Sequence, residues 1–224
     1  MINWNDIDDV FLDMDGTLLD LHFDNYFWME YLPNIYANKN NQSLEQVRPI
    51  LLDMMKQAEG TLNWYCLDYW TKTLDLDIVS MKREVDHLIE VRPMASEFLE
   101  ALHSSNKNTY LITNAHHDAL ELKLEKSQIS HYFDDLVSSH QFGHAKEAQE
   151  FWHCLQDELS YDPKRTLFVD DSKAVLDSAQ QYGIKHLLFV SRPDMKRPAR
   201  TVSDYPILND FSDIMNGLNG AAQS

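Results

Sequence analysis

Five short apolar runs, each cut off by Asp, Thr or Ser, constrain this chain more than any other feature in it. Val10-Phe11-Leu12 stops at Asp13-Met14-Asp15-Gly16-Thr17, and Tyr110-Leu111-Ile112 stops at Thr113-Asn114. Leu136-Val137 ends at Ser138-Ser139, Thr166-Leu167-Phe168-Val169 at Asp170-Asp171, and His186-Leu187-Leu188-Phe189-Val190 at Ser191. Short continuous apolar runs bounded by turn residues read as strands buried on both faces. Helical spacing fills the gaps: Met94, Ala95, Phe98, Leu99 and Leu102, then Ala148, Phe151, Trp152, Leu155 and Leu159, the latter opening near Lys146 after Gly143. Ala174, Val175, Ala179 and Tyr182 form a third set, with Gly183 as its C-terminal stop. Strands alternating with helices predict a doubly wound α/β fold with a parallel sheet, which binds ligands beyond the carboxyl ends of its strands.

The region from about Leu21 to Arg92 breaks this alternation. It has no convincing strand. Ser43 with Gln46 three residues on forms a capping box, and Leu44, Val47, Leu51 and Met54 follow at helical spacing. Pro49 should kink or reset that helix. Another helix is expected through Met81, Val85, Leu88 and Ile89. The division expected is therefore a catalytic core of residues 1–20 and 93–224, with an all-helical cap of residues 21–92 inserted after the first strand. Placed there, the cap lies over the strand ends as a lid.

Charge narrows the function. Thirty-six Asp and Glu against 19 Lys and Arg give a formal net charge of −17. Nucleic acid as a partner is excluded on that balance, since phosphate backbones are held by clustered cations. A small phosphorylated substrate is compatible, because one metal ion reverses the local field. Cys66 and Cys154 form no CxxC pair and read as reduced thiols. The first residues lack a signal-peptide pattern, and no stretch nears the ~18 apolar residues of a membrane span. A cytoplasmic protein without membrane association is expected.

Four clusters carry the chemistry. In Asp13-Met14-Asp15-Gly16-Thr17, Gly16 permits an irregular turn that brings both carboxylates toward one site. Asp13 can then attack phosphorus, and Asp15 can protonate the leaving alkoxide and activate water. Thr113-Asn114 suits phosphoryl oxygens, Lys146 can neutralise them, and Asp170-Asp171-Ser172 offers the hard oxygens that Mg²⁺ prefers. Taken singly these are an acidic turn, an ordinary Thr-Asn turn, a surface lysine and a helix cap. Taken together they conflict: each ionised carboxylate pair ~4 Å apart repels by ~4 kcal/mol at an effective dielectric of ~20. Lys146 cannot offset several such pairs and a phosphate dianion, whereas a divalent cation can. Phosphoacceptor signalling domains use similar residues, but with the acidic pair first in the chain.

These residues, in this order, resemble the haloacid-dehalogenase-like hydrolase superfamily over about residues 9–189. The resemblance implies a Rossmann-like core, Asp13 as nucleophile, Asp15 as acid and base, and Thr113, Asn114 and Lys146 on the phosphate. It implies Mg²⁺ on the Asp13 carboxylate, the Asp15 backbone carbonyl and the Asp170-Asp171 pair, with Asp171 favoured as the direct ligand. A second acid at Asp15 argues against dehalogenation. Relatives often place Pro beside the lysine, where this chain has Ala145-Lys146-Glu147. Leu18-Leu19-Asp20-Leu21, Phe23-Asp24-Asn25-Tyr26-Phe27-Trp28 and Leu62-Asn63-Trp64-Tyr65-Cys66-Leu67-Asp68-Tyr69-Trp70 look similar to bacterial 5′-nucleotidases acting on GMP and IMP.

The expected reaction is Mg²⁺-dependent hydrolysis of a purine nucleoside 5′-monophosphate through an aspartyl-phosphate. Aromatic side chains between Tyr26 and Trp70 can stack on a purine or simply hold the cap together. Asn25, Trp64, Tyr65 and Asp68 are the candidate cap contacts. Gly143 between His140 and His144 argues against a histidine metal site. The alternatives are a sugar-phosphate phosphatase or phosphomutase, a phosphonate-cleaving relative using Lys39, Lys56, Lys72 or Lys82, and a non-catalytic nucleotide-binding protein.

Overall fold

The computed structural model describes residues 2–201 and 204–218. All five expected strands form: β1 (Asp9–Leu12), β2 (Asn108–Thr113), β3 (Asp135–Ser138), β4 (Thr166–Asp170) and β5 (His186–Val190). A two-residue strand, β6 (Ile207–Leu208), adds an edge that the sequence pattern does not announce. The order is β3-β2-β1-β4-β5-β6 and every pairing is parallel. This is the doubly wound Rossmann-like order, in which the winding reverses between β1 and β4.

Between β1 and β2 the chain forms α1 (His22–Tyr26), a π-helical turn (Phe27–Tyr31), α2 (Leu32–Asn40) and α3 (Leu44–Ala58). It continues through α4 (Leu62–Tyr65), α5 (Leu67–Leu74), α6 (Ile78–Glu84) and a 3₁₀ turn (Asp86–Leu88). Beyond this helical segment lie α7 (Ala95–His103), α8 (His117–Ser127), α9 (Gln149–Leu159), α10 (Lys173–Tyr182) and α11 (Ser212–Met215). None is long and apolar enough to cross a membrane.

Alternation along the strands feeds two cores. Val10, Leu12, Leu111, Leu167, Val169, Leu188 and Val190 face one side, where α7, α8 and the inserted helices pack. Phe11, Ile112, Phe168, Leu187 and Phe189 face the other, against Phe151, Trp152 and Leu155 of α9 and Val175, Leu176 and Ala179 of α10. A strand buried on both faces needs apolar residues at every position, which is why these runs do not alternate with polar ones.

Three local expectations change. The helix α3 runs through Pro49 without resetting, and its Ser43–Gln46 capping box is formed. The expected helix across Met81–Ile89 breaks at Val85, where the backbone leaves helical geometry before the 3₁₀ turn. Lys146 lies in a loop, three residues before α9 begins at Gln149. The loop allows its ammonium to reach back under the strand ends.

Candidate active site

Register decides what meets at the reversal of the winding. Leu12 pairs with Leu111 on one side and Val169 on the other, so Asp13, Thr113-Asn114 and Asp170-Asp171 emerge together. The Asp13 amide donates to the Val169 carbonyl at 3.0 Å, which extends the ladder one residue past the strand. The turn then needs Gly16, whose φ is +86°. A β-carbon there would sit 2.8 Å from Asp171 Cγ and 2.8 Å from Pro193 Cβ.

Lys146 is the central cation. Its Nζ donates to Asp13 Oδ1 at 2.6 Å, Asp170 Oδ2 at 2.8 Å and the Ile112 carbonyl at 3.0 Å, and only 2% of the side chain is exposed. Asn114 holds the lysine's loop: Oδ1 accepts from the Lys146 amide at 2.9 Å, while Nδ2 donates to Glu147 Oε2 at 3.0 Å. Both ends of the Asn114 side chain are therefore committed to positioning Lys146. Thr113 is buried at the end of β2, and its hydroxyl accepts from the Ala115 amide at 3.0 Å.

One carboxylate oxygen each from Asp13, Asp170 and Asp171 lie within 4.8 Å of one another. Arg200, absent from the sequence-based expectations, donates to Asp171 Oδ2 at 3.1 Å from an exposed position. The charges do not balance. Burial raises the Asp13 carboxyl to about 6 even though Lys146 lowers it. Burial, Asp170 and Asp13 push Asp171 well above the usual carboxylate range. Asp170 is raised by burial against the opposing pull of Lys146.

A family model described as a haloacid dehalogenase-like hydrolase matches residues 7–183. The chain belongs to that family. It is 42% identical over 217 residues to the GMP/IMP nucleotidase YrfG of Escherichia coli (strain K12), covering 97% of this chain and 98% of the relative. It is 24% identical to the phosphorylated carbohydrates phosphatase of Thermotoga maritima, over 80% of this chain and 82% of the relative. Among solved structures, a HAD phosphatase from Thermococcus onnurineus aligns with a TM-score of 0.78 and 18% identity, covering 92% and 95% of the two chains. The protein is thus an α/β hydrolase of the haloacid dehalogenase-like family.

A second charged cluster joins this hydrolase core to its inserted helices. Lys123 Nζ donates to Asp15 Oδ1 at 2.6 Å and to Asp24 Oδ2 at 2.7 Å, and Lys82 Nζ donates to Asp24 Oδ1 at 2.7 Å. Lys82 also lies 4.7 Å from the ring centre of Phe23 and 4.6 Å from that of Phe27. Burial raises Asp15 to about 6 against the pull of Lys123. Burial acts the same way on Asp24, but Lys123 and Lys82 overcome it and hold that carboxyl well below its usual value. The sequence carried a faint signal for both lysines. Lys123 follows buried Ala119 by four residues, and Lys82 follows buried Ile78 by four, so each shares an inward helix face.

Between the inserted helices and the strand ends is a cavity of about 300 Å³. Asp15, Lys123, Asp24, Lys82 and Arg200 contribute its charged lining, while Trp28, Trp64, Trp70, Met29 and Met55 are apolar lining residues. Of the four expected cap contacts, Asn25, Trp64 and Tyr65 line it. Asn25 Nδ2 is bound to Asp194 Oδ2 at 2.7 Å, and the Tyr65 hydroxyl donates to Glu147 Oε1 at 2.7 Å. Asp68 is not in the lining: its side chain is 81% exposed, with Oδ2 3.7 Å from His116 Nε2. Of Lys39, Lys56, Lys72 and Lys82, Lys82 alone reaches this cavity, with its ammonium paired to Asp24.

Proposed function

We propose that this hydrolase is a Mg²⁺-dependent, cytoplasmic phosphatase acting on purine nucleoside 5′-monophosphates such as GMP and IMP. The observation that carries the reading is the contact set of Lys146: one ammonium is shared by Asp13 and Asp170, with Asp171 beside them. Three carboxylates around one buried lysine leave negative charge uncompensated, and carboxyls held above their usual pKa by burial fit a site built to receive a divalent cation. Asp13, Asp170, Asp171 and the Asp15 backbone carbonyl would hold Mg²⁺, which supplies neutralisation of the phosphoryl charge.

The chain's own groups account for the bond changes. An Asp13 carboxylate oxygen attacks phosphorus as the phosphorus–oxygen bond to the leaving group breaks, giving an acyl phosphate on Asp13. Asp15, raised by burial to about 6, retains a proton often enough near neutral pH to deliver it to the departing oxygen. It then takes a proton from water, whose oxygen attacks phosphorus and returns Asp13 as a carboxylate. Lys146 and the Thr113-Asn114 segment line the phosphate's position, Asn114 acting through its grip on Lys146.

We read residues 21–92 as the cap, with residues 1–20 and 93–224 as the core. The aromatic and thioether walls of the cavity suit a flat base better than a sugar, which favours a nucleotide over a sugar phosphate. The relative at 42% identity, named for GMP and IMP, supports the same substrate class. A phosphate-release screen over nucleotides and sugar phosphates, with Mg²⁺ or with EDTA, tests the proposal. Release from GMP and IMP that EDTA abolishes is expected; preference for sugar phosphates would overturn the substrate, and EDTA-insensitive turnover the metal.

A further inference from the structure

His116 lines the cavity and belongs to a cluster whose chemistry the phosphatase reading leaves unused. Cys66, His116 and His140 come from three separate segments: the α4–α5 junction, the residue preceding α8, and the 3₁₀ turn (Ser139–Gln141) after β3. One sulfur and one nitrogen from each ring lie within 4.8 Å of one another. The rings of His116 and His140 meet edge to face with centroids 5.1 Å apart.

Two features of the cluster point to a ligand. His116 is only 8% exposed, yet its Nδ1 is buried without a hydrogen-bond partner, and the buried Nε2 of His140 also lacks one. Buried polar atoms are rarely left unpaired, and an orphaned imidazole nitrogen still has its lone pair or proton to place. His116 also has a carboxylate beside each nitrogen: Asp118 Oδ2 is 3.5 Å from Nδ1, and Asp68 Oδ2 is 3.7 Å from Nε2. Whichever nitrogen binds, the other keeps an acidic partner, as metal-bound imidazoles commonly do.

We propose that Cys66, His116 and His140 form a transition-metal site, suited to Zn²⁺ and distinct from the carboxylate site at Asp13. A thiolate and two imidazoles are a borderline-soft set that favours Zn²⁺ over Mg²⁺. Bonds of about 2.0–2.3 Å in a tetrahedron put ligand atoms roughly 3.5 Å apart, so a modest contraction closes the site. Asp68 and Asp118, each with a carboxylate oxygen beside a His116 nitrogen, are the candidates for a fourth ligand. Cys66 belongs to the inserted helices and both histidines to the strand-end loops, so a bound ion ties the two together beside the cavity.

Cobalt is the probe, because a thiolate ligand gives Co²⁺ a charge-transfer band that carboxylate sites cannot produce. The full-length protein, kept reduced and saturated with Mg²⁺, is titrated with Co²⁺. One equivalent should develop that band with intense tetrahedral absorption, and Zn²⁺ should displace it. Cys66→Ser should abolish the band, and His140→Gln should weaken Co²⁺ binding at least about tenfold, while both variants keep the native far-ultraviolet dichroism and hydrolyse substrate in Mg²⁺. In the unmutated protein, Zn²⁺ should protect Cys66 but not Cys154 from alkylation, read by mass spectrometry. No thiolate band, a band that survives Cys66→Ser, or equal alkylation of Cys66 with and without Zn²⁺ would each overturn the site. Because the readout is spectroscopic, its failure leaves the phosphatase reading standing.

Discussion

Two buried lysines, Lys146 and Lys123, anchor clusters that differ in net charge, one on Asp13 and the other on Asp15. Around Lys146 stand three carboxylates, those of Asp13, Asp170 and Asp171, with the half-exposed Arg200 as a further cation on Asp171. Around Lys123 the charges balance, with Asp15 and Asp24 against Lys123 and Lys82. The unbalanced cluster is made by residues of the sheet and its loops, and it has charge left over for chemistry. The balanced one spans the sheet and the inserted helices and has none to spare. Burying a neutralised set is tolerable, whereas burying net charge demands an external partner. That contrast separates a site of reaction from an ionic tie holding an active-site carboxyl in place.

The strongest challenge to the contrast is Asp13→Asn, which removes the proposed nucleophile while easing repulsion. It should fold normally and lose at least about a thousandfold in kcat; near-native turnover in that variant would end the mechanism. Next is Lys146→Met, which leaves Asp13 and Asp170 facing each other. A loss of roughly 3–5 kcal/mol of stability is expected at pH 8, read by denaturant unfolding, and the loss should shrink near pH 5 as the carboxyls protonate.

The native protein should show the same sign without Mg²⁺. Asp13 and Asp15 titrate near 6 when folded and from 3.8 when unfolded, so between those values the folded state binds more protons. Stability in EDTA should therefore fall as pH rises through about 4–6, and added Mg²⁺ should raise Tm more at pH 7.5 than at pH 5. Asp24, lowered in the folded state, works oppositely, but only below its unfolded value. A Mg²⁺ effect independent of pH would contradict the assignment of excess charge to the Asp13 cluster.

The balanced cluster predicts non-additivity. Asp24→Asn and Lys82→Met each strand a charge, but the double variant leaves the Lys123–Asp15 pair intact. A coupling of about 1–3 kcal/mol is expected, and strict additivity would show that the tie is not electrostatic. The smallest effect belongs to Tyr65→Phe, which deletes only the hydrogen bond to Glu147 across to the inserted helix. About 1 kcal/mol should appear as a severalfold rise in KM with kcat little changed. An unchanged KM would remove Tyr65 from the substrate side.

Most of the sheet could be read along the chain. A strand buried on both faces must be apolar throughout, and a turn must supply polar groups or glycine, so β1, β2, β4 and β5 and the Asp13, Thr113 and Asp170 clusters carry their own local marks. β6 does not, because two residues hold no period. The helical nature of residues 22–88 was equally plain, but its aromatics were ambiguous. Phe27 is fully buried and outside the cavity lining, while Trp28 and Trp64 line the cavity from only partly buried positions, and helical spacing is the same in both cases. No local spacing links His116 to His140, yet β2 and β3 deliver them side by side.

By itself the sequence determined the parallel α/β sheet, the helical insertion and the acidic tips of the strands, because apolar period and turn chemistry act over a few residues. Only the tertiary structure decided that Lys146 lies between Asp13 and Asp170, that Lys123 holds Asp15 against Asp24, and that Arg200 faces Asp171. Each of those pairings joins residues tens of positions apart. A lysine's partner is fixed by which loops the packed sheet brings together, and no local pattern encodes that distance.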